Sequence, residues 1–141
     1  MTDKVLIKRK LEELEKCLGG LESLRVVSLA ELAEDIERQW AAERGLQIAV
    51  QILIDIGAHI LSSEGETGIE DYAGVIERLG KKAVIPEGFA AEVKGMAGLR
   101  NILVHEYAEV DLTVVHNLLQ NRLDDFRVFA GHINEYLKRM K

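Results

Sequence analysis

Three side chains suited to chemistry on a phosphodiester lie within eight consecutive residues. Arg100 is followed after four residues by His105, and Tyr107 follows one residue later. Arg presents a planar fork of donors that matches the oxygens of a phosphate. His has the unperturbed pKa nearest neutrality, so it can accept or donate a proton at physiological pH. The spacing therefore indicates phosphate binding combined with proton transfer.

The same three residues also fit an ordinary helix end. Arg commonly forms a salt bridge there, and the helix dipole favours a His cation near the C-terminus. On one continuous helix, residues five apart point about 140° away from each other. Arg100 and His105 would converge only if the helix ended between them or a second chain completed the site. Taken alone, the residues favour the ordinary interpretation.

A polar stripe runs along a segment that is otherwise apolar. From Leu46 to Leu61 nearly every helical face is apolar, which predicts a buried central helix. The stripe recurs every four residues, at Glu43, Gln47, Gln51, Asp55 and His59. Because polar groups on a buried helix need partners or water, the stripe either lines a cleft or faces solvent. Asp55 and His59 are spaced to hydrogen-bond or share a metal, but a structural role is favoured because no third ligand has a recognisable spacing.

The remaining candidate residues have structural interpretations. His116 and His132 are expected at the surface or its boundary without partners, and Cys17 as a small packed hydrophobe. Asp124 and Asp125 are expected on a solvated face. The sequence has no Gly-rich phosphate loop, Ser-His-Asp arrangement or zinc-binding spacing, so we expect neither a cofactor nor a metal.

Composition limits the class of protein. The 141 residues predict a single domain over 1–141, and a net charge of −6 argues against a general nucleic-acid coat. Any RNA contact must therefore be local, transient or made by a cleft with few basic residues, and the acidity equally suits a basic protein partner. One cysteine excludes an intrachain disulfide. With no signal peptide pattern and no apolar run of about 18 residues, we expect a cytoplasmic protein without a membrane partner.

Apolar periodicity predicts an all-α bundle of four to six helices. The first runs from about Asp3 to Leu24 and is weakened or ended at Gly19-Gly20. A capping box at Ser28 begins a helical region to about Leu61, with a break near Arg38. The first helix has a buried seam of Ile7, Leu11, Leu14, Leu18 and Leu21.

The second half of the sequence predicts a loop over 62–68 and three further helices. A short helix covers about Ile69 to Leu79, and another starts at Pro86. Asp111 caps a last helix that runs to about Arg139. The Pro86 helix directs inward Phe89, Val93, Met96, Leu99, Leu103 and Val104. Close packing is expected between a small-residue face of Ala91, Gly95 and Gly98 and the central-helix residues Gly57 and Ala58. The last helix has an apolar row of Val115, Leu118, Leu119, Leu123, Phe126, Phe129 and Ile133.

The stretch 100–107 resembles the RX4HXY signature of HepT-like toxins, the DUF86 branch of the HEPN superfamily. The segments Glu43–Ala49 and Asp55–Ile60 resemble the central helix of that family, and Gly95–Leu99 and Asp111 fit the flanks of its motif. The resemblance runs from about Ser28 through the last helix. One departure is Ala58, where many relatives have Asn.

The resemblance implies a helical homodimer with metal-independent endoribonuclease activity. Arg100 would hold the scissile phosphate, and His105 would act as acid or base while the RNA 2′-hydroxyl attacks. It also implies a minimal nucleotidyltransferase antitoxin, in a type VII toxin–antitoxin pair, that uses ATP to adenylylate Tyr107. Supporting cleft residues are expected to be Asn101, Asp55 and His59.

Two other functions remain open at this point. The chain is alternatively a non-catalytic binding subunit that presents substrate or Tyr107 to a nucleotidyltransferase, and its acidity favours that interpretation. A third possibility is a purely structural dimerisation domain, in which Arg100, His105 and Tyr107 have no functional role.

Overall fold

The computed structural model describes residues 2–69, 71–96 and 111–140. Within these ranges the secondary structure is entirely helical, which confirms the predicted all-α class. The seven helices of these ranges are α1 (Lys4–Arg25), α2 (Leu29–Glu34), α3 (Ile36–Ser63), α4 (Tyr72–Lys81), α5 (Glu87–Val93), α6 (Leu112–Asn121) and α7 (Leu123–Arg139).

Helix α1 packs its apolar seam against α3. All five predicted seam residues are buried. The helix begins at the cap residue Asp3, whose carboxylate accepts from the Leu6 N–H at 3.0 Å. It continues through Gly19-Gly20 to Arg25, so of the two outcomes predicted for the glycines, a weakened or an ended helix, the structure excludes the second. Leu18 and Leu21 are buried on either side of the pair, and their packing outweighs the low helix propensity of glycine.

The region from α2 to α3 breaks at Asp35 rather than near Arg38. The predicted capping box is present, because Ser28 and Glu31 each accept a backbone N–H from the other. Asp35 has an extended backbone, and its carboxylate accepts from the N–H groups of Glu37 and Arg38. One residue thus ends α2 and caps α3, which the apolar periodicity alone does not indicate.

Helix α3 is the central helix, as predicted. It is long and apolar enough to cross a membrane by length and composition, yet 56% of its most apolar window is buried in the protein. The core helix of a soluble bundle meets the same criteria. Its buried residues are Ala42, Leu46, Ala49, Val50, Ile52, Leu53, Ile54, Ile56, Gly57, Ile60 and Leu61.

Helix α4 packs between α3 and α5, and this arrangement contradicts the predicted small-residue contact. A Cβ on Gly57 would lie 2.8 Å from side-chain atoms of Val75 and Leu79, so Gly57 accommodates α4 rather than the helix after Pro86. Ala91 and Ala58 are exposed, and a Cβ on Gly95 would meet nothing within 4 Å. Gly98 lies outside the described residues.

Helix α5 is shorter than the predicted helix. Pro86 is its N-cap, and its last residue, Val93, is buried like the following Met96. Phe89 is partly buried against the core. The other predicted inward residues lie outside the described ranges: Leu99, Leu103 and Val104.

The predicted last helix is two helices. Asp111 caps α6 by accepting from the Thr113 N–H at 2.9 Å, as expected. The backbone of Arg122, with φ −120° and ψ −4°, then separates α6 from α7. All seven residues of the predicted apolar row are nevertheless buried. The break at Arg122 adds one helix to the predicted set, so the described residues form seven helices rather than the four to six predicted.

Candidate functional site

The candidate catalytic motif falls between two described helices. Arg100, Asn101, His105 and Tyr107 all lie in 97–110, outside the described residues. On one side, α5 is followed by the buried Met96, and on the other, α6 begins at its Asp111 cap. The site geometry that the structure describes is therefore that of the α3 stripe and the helices beside it.

The polar stripe on α3 is half-buried along its whole length. Each side chain borders the packed core and still reaches solvent, and that the stripe lines a cleft stays a prediction. Burial raises the pKa of the Glu43 carboxyl above its usual value, because a charged carboxylate is poorly solvated there.

Asp55 is held by a neighbour on its own helix and by a residue of α1. The side-chain amide of Gln51 donates to Asp55 Oδ1 at 2.8 Å. Lys10 Nζ lies 4.0 Å from Asp55 Oδ2, and the Asp55 side chain retains 43% exposure. The carboxylate therefore has a fixed orientation and can still accept hydrogen bonds from a ligand.

His59 contacts the first residues of the chain. The backbone N–H of Asp3 donates to His59 Nε2 at 3.2 Å. Since Nε2 accepts this bond, the neutral ring carries its proton on Nδ1. Close by in the sequence, Ser63 shares a hydrogen bond between hydroxyl groups with Thr2. The start of α1 thus closes over the C-terminal end of the stripe.

Asp55 and His59 consequently have separate partners. The proposed bond or shared metal between them is replaced by contacts to Gln51, Lys10 and Asp3. Among the described residues, no cluster of three or more His, Cys, Asp or Glu side chains is placed to hold a metal ion.

Comparison with known proteins identifies the family. The family model described as ribonuclease HepT-like matches residues 7–133, most of the chain. This chain belongs to the HepT-like family.

Two curated relatives extend this relationship over nearly the full chain. The tRNA nuclease HepT of Aphanizomenon flos-aquae is 33% identical over 134 residues, covering 94% of this chain and 90% of that protein. The mRNA nuclease HepT of Shewanella oneidensis is 27% identical over 129 residues, covering 91% of this chain and 96% of that protein.

A solved structure of a HepT-like toxin has the same fold. It is the tri-AMPylated HEPN toxin of Shewanella oneidensis in complex with an MNT antitoxin. The TM-score is 0.82 at 26% identity, and the match covers 96% of this chain and 99% of that one.

The other histidines of this HepT-like chain have partners, contrary to the sequence-based prediction. His116 Nε2 lies 3.2 Å from the carbonyl oxygen of Val27, and so joins α6 to the end of α1. The ring of His132 lies 5.1 Å from that of Phe89 between centroids. Both residues are half-buried, so both contacts have a structural role.

Cys17 and the Asp124-Asp125 pair are also structural. Cys17 Sγ donates to the Gly45 carbonyl oxygen at 3.2 Å, and burial raises the pKa of its thiol, which suits a packed, unreactive cysteine. The Asp124 side chain is 67% exposed, as predicted. Asp125 is instead partly buried, with Oδ2 lying 3.2 Å from Arg122 Nε.

The contribution of α1 to the surroundings of the stripe was not predicted from the sequence. Lys10 and Asp3 contact Asp55 and His59 from the N-terminal end of α1, and neither belongs to a recognisable motif. The available signal was the Lys8-Arg9-Lys10 run, which is unusual in a chain with a net charge of −6.

Proposed function

We propose that this protein is an endoribonuclease toxin in which Arg100 binds the scissile phosphate and His105 transfers protons. The relationship to a tRNA nuclease HepT over 94% of the chain is the observation that carries the proposal. The intact Arg-x4-His-x-Tyr spacing supports the assignment of residues, since it supplies a phosphate-binding fork and a group that titrates near neutrality.

The proposed reaction uses a nucleophile that belongs to the substrate. The RNA 2′-oxygen attacks the adjacent phosphorus as the bond from phosphorus to the 5′-oxygen breaks. A base takes the 2′-hydroxyl proton, and an acid protonates the departing 5′-oxygen. His105 performs one of these transfers, and Arg100 compensates the charge on the phosphate oxygens. Because the nucleophile is internal, no metal-bound water is needed.

We propose that the active form is a homodimer. Residues five apart on one helix diverge by about 140°, so Arg100 and His105 act together most simply when two copies form a shared cleft. Asn101 would support the motif from within it. Asp55 and His59 would line the cleft from α3, where Gln51 and Asp3 already orient them. Ala58 is exposed on the same helix and offers no polar group where many relatives have Asn.

We propose that a minimal nucleotidyltransferase antitoxin neutralises the nuclease by adenylylating Tyr107 in the cytoplasm. An AMP group there adds bulk and negative charge beside Arg100 and His105, and therefore repels RNA. The AMPylated state of the toxin in the solved Shewanella oneidensis complex supports this control step.

Cleavage of RNA by the purified protein tests the catalytic assignment. Transfer RNA and messenger RNA transcripts are incubated with the wild type in EDTA. Arg100→Ala and His105→Ala are expected to reduce the cleavage rate by about 10²–10⁴-fold. Arg38→Ala and His132→Ala remove the same residue types elsewhere and should retain activity. Equal cleavage by the wild type and both motif variants would disprove the roles of Arg100 and His105.

Mass spectrometry tests the control step. After incubation with the nucleotidyltransferase and ATP, the wild type should gain the mass of AMP on Tyr107 and lose nuclease activity. Tyr107→Phe should stay unmodified and active under the same conditions. An AMP group on another residue, or an active modified protein, would contradict the proposal.

The second candidate function is a non-catalytic subunit that presents RNA or Tyr107 to the nucleotidyltransferase. The net charge of −6 favours it, because a nuclease needs positive potential where it binds RNA. Adenylylation of Tyr107 without any RNA cleavage by the unmodified protein would support this function over the nuclease.

A further inference from the structure

The first two turns of α1 form the most basic part of the described chain. Lys4, Lys8, Arg9 and Lys10 occur without an acidic residue between Asp3 and Glu12. At 3.6 residues per turn, Lys4 and Lys8 lie on one flank of the buried seam and Lys10 on the other, while Arg9 points away from it. Cations therefore surround the whole exposed side of this end of the helix.

Helix α7 adds a further cation to this surface. Lys4 Nζ donates to the Met140 carbonyl oxygen at 3.0 Å, which fixes the start of α1 against the end of α7. A groove of about 370 Å³ lies between the two helices and has three lysines in its lining. The lining consists of Lys4, Lys8, Asn134, Leu137 and Lys138. We call the set Lys4, Lys8, Arg9, Lys10 and Lys138 the basic end.

Cations elsewhere in the described ranges are mostly neutralised by carboxylates. Those with a carboxylate oxygen within 4.0 Å include Arg25, Arg38, Arg78, Lys81, Lys82, Lys94, Arg122 and Arg127.

At the basic end, the exposed Lys8 and Arg9 have no such carboxylate among the described residues. Lys138 pairs with Glu135 at 3.3 Å, but the two side chains are 74% and 69% exposed, against 63% and 45% for Lys81 and Glu77, so water screens this pair more strongly. The basic end thus retains positive potential that the rest of the described surface largely cancels.

The basic end is continuous with the α3 stripe. Lys10 faces Asp55 at 4.0 Å, and the Asp3 N–H at the start of α1 binds His59. The basic surface therefore extends from the groove beside α7, around α1, to the residues assigned to the cleft. A long polyanion can contact the basic end and the cleft residues at the same time, whereas a mononucleotide is too short to reach from one to the other.

We propose that the basic end binds the phosphate backbone of RNA outside the cleavage site. This inference rests on the proposed nuclease function and explains how an acidic protein holds an RNA. Phosphate neutralisation by Lys and Arg supplies most sequence-independent affinity, so cations concentrated at one end offset the net charge of −6. An anionic membrane is disfavoured as the partner, because a helix that inserts into a membrane needs an apolar face. Among the described residues of the basic end and its surroundings, Val5 is the one large apolar side chain that is exposed.

RNA binding by matched variants tests the inference. In the His105→Ala background, the RNA stays intact, and the Kd of a labelled single-stranded RNA is measured by fluorescence anisotropy over a range of KCl concentrations. The basic-end variant is Lys8→Gln/Arg9→Gln/Lys138→Gln. The control variant, Arg38→Gln/Lys81→Gln/Lys82→Gln, removes the same charges at exposed sites elsewhere. Circular dichroism and Tm establish that both variants fold.

The basic-end variant should raise the Kd at least about tenfold and lower the slope of log K against log salt by about 2, since each lost phosphate contact removes about 0.7. The control should stay within about twofold of the parent. Equal losses in both variants would mean that only overall charge matters and would overturn the proposal. It would also be overturned if the parent bound phosphatidylserine vesicles but no RNA.

Single-turnover cleavage separates this inference from the nuclease assignment. With His105 present and the enzyme saturating, the basic-end variant should cleave at the wild-type rate but need about tenfold more enzyme for half-saturation. If the basic-end variant cleaved normally and its half-saturating enzyme concentration were unchanged, the proposal that the basic end binds RNA would be overturned and the nuclease assignment would stand. RNA binding that depends on the basic end, with no cleavage by the wild type, would overturn the nuclease assignment alone.

Discussion

At its N-terminal end α1 carries cations that face outward, whereas Arg25 at its C-terminal end is bound within the protein. Glu22 accepts from Arg25 Nη1 at 3.1 Å and from Arg127 Nη1 at 2.7 Å. Arg25 also lies 3.4 Å from Asp124. Lys8 and Arg9, three turns earlier or more, have no carboxylate within 4.0 Å in the described chain.

The bound end also contains hydrogen bonds from side chains to backbone carbonyl groups of a neighbouring helix. Arg25 Nη2 donates to the Gln120 carbonyl oxygen at 2.9 Å, and the Gln120 side chain donates to the Arg25 carbonyl oxygen. These contacts connect α1 to α6, and the Glu22–Arg127 pair connects it to α7. The charges of one helix thus serve two purposes: those with internal partners join helices, and those without remain available to an external anion.

Charge reversal at each end of α1 should have the largest effects, on RNA affinity at one end and on thermal stability at the other. Lys8→Glu/Arg9→Glu should weaken RNA binding on the order of 100-fold, because two attractions become repulsions, while Tm stays unchanged. Arg25→Glu/Arg127→Glu adds the same negative charge at the bound end. It should lower Tm by roughly 5 °C, because it places carboxylates beside Glu22 and Asp124, and should leave the Kd for RNA within a few-fold. Anisotropy and thermal melts measure the two effects.

The two double variants control for each other because they change net charge equally. The two ends of α1 would not differ in their role if charge reversal at the bound end weakened RNA binding as much as charge reversal at the basic end. The difference in role would also be contradicted if Lys8→Glu/Arg9→Glu lowered Tm as much as Arg25→Glu/Arg127→Glu does.

The glycine pair in α1 provides the next prediction. Gly19 and Gly20 are exposed and precede the bound end, and a Cβ on either would meet nothing within 4 Å. Gly19→Ala/Gly20→Ala should raise the free energy of unfolding by about 1–2 kcal/mol in total, since alanine loses less backbone entropy in a helix. Urea denaturation measures it, and the Kd for RNA should not change.

Gly57→Ala is the matched control, and it should lower the free energy of unfolding rather than raise it. Its Cβ would lie 2.8 Å from atoms of Val75 and Leu79, so the overpacking should exceed the gain in helix propensity and lower stability. If Gly19→Ala/Gly20→Ala also lowered stability, the glycines would be required by packing that the open space around them does not indicate.

Local pattern was sufficient to predict much of this fold. The apolar row of the last helices and the Ser28 capping box depend on residues a few positions apart, and both are present in the structure. A break was predicted near Arg38, and the structure places it at Asp35, because extended backbone and side-chain capping at one residue leave the apolar period intact. The sequence left open whether Gly19-Gly20 weakens or ends α1, because the contact with α3 that stabilises the helix there is made by residues far away in the sequence.

The candidate site was less predictable for the same reason. The residue types of Arg100, His105 and Tyr107 indicated a chemistry, but their geometry lies outside the described residues. Lys10 contacts Asp55 and the Asp3 N–H binds His59, so each has a partner from the start of α1, with Asp3 separated from His59 by 56 positions. No period or motif encodes such a contact, because it depends on how α1 and α3 align.

The smallest expected effect is the pH dependence of the bound end. The hydrogen bond from Arg127, more than any other cause, lowers the pKa of Glu22 below its usual 4.5. A carboxyl with a lowered folded-state pKa stabilises the protein above its unfolded-state pKa, and this contribution is lost as pH falls through the folded value. Glu22→Gln should therefore lower Tm slightly at pH 7, and the difference from the wild type should shrink as pH falls below 4.5.

Glu13→Gln removes the same charge from an exposed position on α1 and controls for net charge. A Tm difference for Glu22→Gln that persisted undiminished at pH 3 would mean that the Glu22 charge does not join the helices, and that the two ends of α1 differ less than their geometry indicates.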